Sequence, residues 1–243
     1  MTGRVAALSP TLALEDQLFA NGADVVVGFD EVGRGALAGP VMVGAAAIRR
    51  HHSAAMPVGL ADSKLLTEKK REAMFEPLQQ WVAAWGVGAA SNHEIDEWGI
   101  SRALGVAALR ALQTVEHSLL NSAQNASVDG AATAVESSIA ISGILDGPND
   151  YISKTVVTFE APAISILPAI TTQVKADQTC ASVSAASVLA KVTRDRIMED
   201  LGRQPRYALY GWEKNKGYGS KVHREAIRLT GPSDLHRISW HLV

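Results

Sequence analysis

Val25-Val26-Val27-Gly28-Phe29-Asp30-Glu31-Val32-Gly33-Arg34-Gly35 runs from an apolar, β-branched stretch straight into two adjacent carboxylates and then into an arginine bracketed by glycines. Val25–Phe29 has the composition of a buried strand. A strand that ends in charge must pair that charge or bind a cation with it. Successive strand residues point to opposite faces, so Asp30 and Glu31 share one site only if the chain bends. Gly33 and Gly35 permit such a bend or bulge, which would swing Glu31 towards Asp30. They also let backbone N–H groups approach a phosphate, with Arg34 as a forked donor between them. Taken alone, the stretch reads equally as a hairpin turn carrying surface acids.

Working outward, Val41–Ile48 is a second apolar run, and the pair predicts an antiparallel hairpin. Trp85–Ala90 reads as a third strand. Before it, Thr67 as N-cap and Glu68 in the first turn predict a helix running to about Ala84. His93–Trp98 and Ser101–Leu120 read as helices, the second with Leu104, Ala108, Leu109 and Leu112 on one apolar face. Further strands are expected within Ile141–Leu145 and Ile164–Val174, a long helix over Ser182–Leu201 and a shorter one over Lys221–Leu229. Residues 1–23 read as a lead-in with a short helical piece around Thr11–Phe19. Residues 121–140 are small and polar without periodicity, and predict a flexible loop. Strands first, then strands alternating with helices, indicate an α/β fold with a mixed sheet.

Composition narrows the class. At 47% hydrophobic and 20% charged over 243 residues, the chain can build an ordinary core, which excludes wholesale disorder. No uncharged apolar run approaches the roughly 20 residues that span a bilayer, and the N-terminus lacks a secretory pattern, so a cytoplasmic protein without membrane contact is expected. Cys180 is the only cysteine and lies among Ser and Ala, which suits a buried small residue better than a nucleophile. Net charge is −2, unevenly spread: residues 191–228 carry 10 Lys/Arg against 5 Asp/Glu, leaving 13 against 20 elsewhere. A solvated helix face explains such an imbalance, but an acidic body beside a basic quarter also suits chemistry on a polyanion.

Other acids repeat the opening signal. Ile144-Leu145-Asp146-Gly147-Pro148 puts a carboxylate at a strand end before a turn, although an Asp-Gly turn alone is commonplace. Asp177 precedes the long helix and as an isolated residue reads as its N-cap. In that helix Ser184, Ser187, Lys191 and Arg194 fall on one face, a stripe expected to meet a phosphate-bearing ligand. Asp195, next to Arg194, reads as a structural ion-pair partner. Asp62-Ser63-Lys64 stands before a helix start, where hydroxyl and ammonium groups can hold a phosphate or simply cap a loop. Lys216-Gly217-Tyr218-Gly219-Ser220 joins a cation, a pliable backbone and a ring that can stack on a sugar or base.

In order, DEVGRGALAGPV at 30–41, DSKLLTEKKRE at 62–72, LDG at 145–147, KAD at 175–177, SAASVLAKVTRDRIM at 184–198 and NKGYGSKVH at 215–223 resemble ribonuclease HII. The resemblance spans nearly the whole domain and is specific as a set. It implies a ribonuclease H-like fold: a central mixed five-stranded sheet flanked by helices, over 24–243, with a small helical C-terminal part from about 200. It implies Asp30, Glu31, Asp146 and Asp177 as the catalytic, metal-binding carboxylates. Gly33, Arg34 and Gly35 would read the ribonucleotide, and Tyr218 would pack near the ribose at the RNA-to-DNA junction. Ser63, Lys64 and Lys191 would lie near the nucleic-acid backbone, and Ser184 and Ser220 are further candidate substrate contacts. Ala176 stands where many members have Gly, and Ser220 where Thr is frequent.

The implied activity is cleavage of the RNA strand of RNA/DNA hybrids, and of duplex DNA on the 5′ side of embedded ribonucleotides, leaving 3′-hydroxyl and 5′-phosphate ends. A monomer is expected. Phosphodiester hydrolysis needs an activated water and neutralised charge, which two divalent ions roughly 3.5–4 Å apart supply. Oxygen-only donors suit Mg²⁺ or Mn²⁺ rather than Zn²⁺. Two rival classes remain: a nucleotidyl- or phosphotransferase, disfavoured by the lack of a GxxxxGK[ST] loop, and a non-catalytic nucleic-acid-binding module, which leaves the strand-end acids unexplained.

Overall fold

A computed structural model of the chain describes residues 9–126, 139–158 and 160–243. Five strands, β1 (Val25–Val32), β2 (Val41–Arg49), β3 (Ala84–Ala90), β4 (Ile141–Asp146) and β5 (Ala169–Gln173), form one sheet in the order β3-β2-β1-β4-β5. The expected hairpin is there: β1 pairs antiparallel with β2, and β2 antiparallel with β3. β4 lies parallel to β1, and β5 parallel to β4, so the sheet is mixed. The helices are α1 (Ala13–Ala20), α2 (Glu68–Trp81), α3 (Asn92–Trp98), α4 (Ile100–Ala126), α5 (Tyr151–Val156), α6 (Ala176–Thr179), α7 (Ala181–Gly202), α8 (Trp212–Asn215) and α9 (Lys221–Thr230). Thr67 caps α2 by accepting from the Lys70 N–H, as its position predicts.

Central β1 is buried on both faces, which is why it reads as a continuous apolar run instead of an alternation. Val25, Val27 and Phe29 pack towards α4, with Leu104, Leu109 and Leu112. Val26 and Ile144 pack towards α7, with Val183, Val188 and Leu189. At Gly28, a β-carbon would fall 2.3 Å from the Ser182 carbonyl carbon, so α7 touches the strand backbone only because no side chain intervenes. A third cluster, including Leu37, Ala38, Met198, Tyr207, Trp212 and Ile227, fastens the C-terminal helical part to the loop after β1. That packing brings residues near 218 over residues near 33.

Two sequence expectations need adjustment. α4 continues six residues past Leu120 to Ala126, into the stretch expected as a loop; of the remainder, 127–138 lies outside the described residues. The segment before β1 is stitched to the body: Thr11 N–H donates to the Thr179 carbonyl, and the carboxylate of Glu15, fully buried, accepts from Ser182 N–H and hydroxyl at 2.9 and 2.7 Å. Among the described residues, no helix is long and apolar enough to cross a membrane.

Candidate active site

β1 and β4 run parallel, and Phe29 pairs with Leu145, so Asp30 and Asp146 follow as neighbours at the same end of adjacent strands. Both lie on the α7 face. Asp177, in α6, meets them there: Asp146 Oδ1 accepts from the Ala176 N–H at 2.8 Å and, more weakly, from the Asp177 N–H at 3.5 Å. The turn that delivers Asp177 is strained, because Lys175 adopts a left-handed conformation with φ 62°. Ser184 lies under it, donating its hydroxyl to the Asp177 carbonyl at 2.6 Å.

Glu31 does not join them on that face. The expected bend is absent: β1 stays regular through Val32, with Asp30 opposite Gly44, Glu31 opposite Val43 and Val32 opposite Met42. The pleat therefore sends Glu31 to the α4 side, where one carboxylate oxygen meets Arg34 at 3.2 Å and the other accepts from the buried Tyr151 hydroxyl at 3.4 Å. Continuous pairing with β2 outweighs the freedom of Gly33, whose positive φ of 80° is spent on the turn beyond the strand. Glu31 and Asp146 line a cleft of about 310 Å³, with Arg34, Asn149, Tyr151 and Lys154. The acids thus straddle the end of β1. Among the described residues, no three His, Cys, Asp or Glu side chains are gathered closely enough to hold one ion.

The electrostatics show a site short of positive charge. Asp30 is 3% exposed, and burial pushes its pKa up to about 8, opposed by a Ser187 hydrogen bond and by Lys64, and reinforced by Glu31 and Asp146. Asp146 is raised by burial and then by Asp177. A further acid enters: Asp62, almost fully buried, is raised by burial and also by Asp177, while its carboxylate caps the Lys64 N–H at 2.9 Å. The local cation is Lys64, whose Nζ lies 3.0 Å from Asp177 Oδ2. Partial burial works against its charge, but Asp30 and Asp177 hold it protonated.

This pattern fits a divalent cation in its donor chemistry. The donors are all carboxylate oxygens; two of the acids, Asp30 and Asp177, are buried, burial favours the neutral form of Asp30, and an ammonium stands among them.

The remaining candidates divide by what their side chains meet. Gly33, Arg34 and Gly35 form a turn whose carbonyls face inward. Arg237, fully buried, donates to the Gly33, Arg34 and Gly39 carbonyls at 2.7, 2.8 and 3.1 Å. Gly35 has open space where a side chain would stand. Tyr218 comes from 185 residues away to accept the Gly33 N–H on its hydroxyl at 3.2 Å, with Lys191 and Arg194 over its ring at 5.7 and 5.5 Å.

The serine–lysine stripe of α7 has partners within the protein. Ser184 is fully buried and holds the Asp177 carbonyl. The Ser187 hydroxyl lies 2.8 Å from that of Ser63, which is itself buried, so Ser63 can donate to Ser187 while Ser187 serves Asp30. Lys191 pairs with Asp195 at 2.7 Å. Arg194 is buried and donates to the Pro40, Ala38 and Lys216 carbonyls. Spacings of three, four and three show that the four share a face, but what the face meets depends on segments distant in sequence. Asp195 pairs with Lys191 and Arg71, not with adjacent Arg194. Ser220 caps α9 by accepting the His223 N–H.

Sequence reasoning passed over Asp62, Tyr151, His223 and Arg237. Asp62 stood in a motif already singled out. Tyr151 follows the N-cap Asp150 shortly after Asp146, a placement that was visible but carried no chemistry by itself.

A family model described as Ribonuclease HII matches residues 27–243. Among curated proteins, ribonuclease HII of Streptomyces avermitilis is 41% identical over 234 residues, covering 95% of this chain and 83% of its own length. Among solved structures, ribonuclease H2 from Pyrococcus horikoshii OT3 aligns with a TM-score of 0.64 and 25% identity, covering 90% of this chain and 94% of its own. Bst-RNase HIII, solved in complex with Mn²⁺, shares the fold with a TM-score of 0.61 at 22% identity, covering 93% of this chain and 71% of its own.

Proposed function

The chain belongs to the ribonuclease HII family and is an endoribonuclease acting on RNA/DNA hybrids; from that premise we propose that it also nicks duplex DNA 5′ of embedded ribonucleotides, leaving 3′-hydroxyl and 5′-phosphate ends. The observation that carries this reading is one of adjacency. Strand-end acids and an inward-anchored glycine turn lie on the same short stretch, Asp30–Gly35, and Tyr218 is hydrogen-bonded to that turn.

In this reading Asp30, Glu31, Asp146 and Asp177 hold Mg²⁺ or Mn²⁺, and Bst-RNase HIII, a protein of the same fold, was solved with Mn²⁺. Bound divalent metal supplies activation of water and neutralisation of the phosphate and leaving oxygen. The chain's own groups prepare for it. Ser187 and Lys64 favour the ionised form of Asp30. Ser184 fixes the backbone of Asp177, and Tyr151 and Arg34 orient Glu31. Asp30 and Asp146 at the strand ends would hold the ion together with Glu31 and Asp177, and Lys64, which pairs with Asp177, would be placed to meet a phosphate of the substrate.

Recognition falls to groups that differ from the acids. The 2′-hydroxyl alone distinguishes RNA from DNA at a given nucleotide. Arg237 and Arg194 occupy the inward carbonyls around the turn, which leaves Arg34 and the open side of Gly35 towards the duplex. The Tyr218 hydroxyl accepts from Gly33 and keeps its own proton available to donate.

The test is incubation with duplex DNA containing one ribonucleotide, with Mg²⁺, Mn²⁺ or chelator. Metal-dependent nicking on the 5′ side of that ribonucleotide is expected. Cleavage of long hybrids with no nicking of the single-ribonucleotide duplex would overturn the finer reading.

A further inference from the structure

Tyr218 lies on a loop that would be hard to hold in place on its own. Lys216 adopts a left-handed conformation with φ 51°, and Gly217 follows at φ 84°. A non-glycine residue held there persists only where its surroundings enforce it. Arg194 donates to the Lys216 carbonyl and Glu199 pairs with its ammonium, while a second set of groups, buried below the loop and apart from the acid site, holds Tyr218 itself.

His223 and His236 are 0% and 1% exposed, with their Nε2 atoms 3.0 Å apart. Their proton positions follow from their partners. The Tyr218 carbonyl can only accept, so at 2.9 Å His223 Nδ1 carries a proton. The Trp212 indole N–H can only donate, and it reaches His223 Nε2 at 3.0 Å, so that nitrogen is bare. His236 then donates through Nε2, and its Nδ1 accepts from the Ser233 N–H at 2.8 Å. All four ring nitrogens are used, and both rings are neutral. The result is a directed chain from Ser233 through His236 and His223 to the Tyr218 backbone. It ends where the Tyr218 hydroxyl meets the Gly33 N–H.

We propose that the His223–His236 pair is a positioning element for ribonucleotide recognition, acting through the carbonyl of Tyr218 to set its ring and hydroxyl against the Gly33 turn. The inference rests on the recognition role given above to Tyr218. His223 touches no substrate in this account; it orients the residue that does. The two rings also stack among Tyr210 and Trp212, edge-on or tilted, so the pair is braced by aromatic packing as well as by hydrogen bonds.

A double-mutant cycle on the full chain tests this, with kcat/KM on a single-ribonucleotide duplex as readout and thermal melting as a check on folding. A small misplacement near the reacting centre costs up to on the order of 100-fold. His223→Leu is therefore expected to lower kcat/KM about 10- to 100-fold when Tyr218 is present, and less than about twofold in a Tyr218→Ala background. His223→Asn, whose amide N–H can stand near the Nδ1 position, should recover most of the loss, whereas His223→Gln should not. The same loss in both backgrounds, or no loss beside an impaired Tyr218→Ala, overturns the proposal. If Tyr218→Ala itself cleaves normally, the recognition reading falls and the proposal falls with it. Should His223→Leu fail to fold, the Asn and Gln variants decide: Asn above Gln supports the proposal, and equality or the reverse order overturns it.

Discussion

The acid cluster and the recognition turn share the Asp30–Gly35 stretch, yet they are built on opposite principles. Around the turn, inward polar groups have partners: Arg237 and Arg194 supply carbonyls at 33, 34, 38, 39 and 40, and His223 supplies the Tyr218 carbonyl. Around the acids, charge is left uncompensated. Asp30, Asp62 and Asp146 all have pKa values raised by burial, Lys64 is the lysine among them, and Glu31, on the other side of β1, pairs with Arg34. A rigid reader next to a strained, ion-hungry centre makes physical sense. Discrimination between a hydroxyl and a hydrogen needs donors already in place, whereas a centre that must take up cations gains affinity from carboxylates that repel one another without them.

The comparison breaks most visibly at Asp30. Asp30→Asn removes the buried acid at the strand end and is expected to lower turnover on the order of 10³-fold or more, judged by the loss on removing one preorganised electrostatic group. Duplex binding by a gel or anisotropy assay should persist, and the chelated variant should melt higher than the chelated parent. Normal turnover would remove Asp30 from the site.

On the reader side, Arg237→Met leaves the carbonyls of Gly33, Arg34 and Gly39 without their buried donor. Unsatisfied buried groups predict a loss of about 2–4 kcal/mol in denaturant unfolding. Single-ribonucleotide cleavage should fall in the fraction that remains folded. A stability unchanged from the parent would show that the turn does not depend on this guanidinium.

The smallest effect separates the two regions by sign. Asp30 has a folded pKa of about 8 against 3.8 for the free group, so its favourable contribution is complete below about 3.8 and is lost as pH rises through 8. His236, buried, then facing His223, with Ser233 and Asp234 opposing, is lowered to about 4 from 6.5. His223 is lowered by burial, with the Tyr218 carbonyl opposing and Arg224 adding to the shift. The His236 contribution is therefore complete above about 6.5 and is lost as pH falls through 4. Melting of the chelated protein should show Asp30→Asn removing a loss of stability as pH rises from 3.8 to 8, and His236→Gln removing a loss as pH falls from 6.5 to 4. Added Mg²⁺ should raise the melting temperature more at pH 8 than at pH 6. The opposite ordering would contradict the assignment of charge deficit to the acids.

Much of this was legible in the chain. β-branched composition and capping signals placed the elements within a few residues, because they report local physics: Val25–Phe29 as a buried strand, Thr67 as a cap, Ser182–Leu201 as a long helix. Asp30 stood out because an apolar strand ending in charge is locally anomalous, whereas Asp146, before a commonplace Asp-Gly turn, was carried by the ordered set of motifs. The partners of the α7 stripe were not legible. A spacing of three and four residues establishes a shared face, but Arg194 meets carbonyls of the loop after β1, which lies more than 150 positions away.

The sequence by itself determined the order of strands and helices, the residue types available for chemistry and the family to which the motifs point. These follow from short-range periodicity and from side-chain identity, which need no fold to be read. Only the tertiary structure decided that β1 stays regular and parts Glu31 from Asp30, since ladder pairing with β2 had to be weighed against the freedom of Gly33. It alone joined Tyr218 to Gly33 across 185 positions and set a pair of neutral histidines beneath the loop. Such contacts depend on loop closure and on the partners that burial leaves available, and neither is written in any local stretch of the chain.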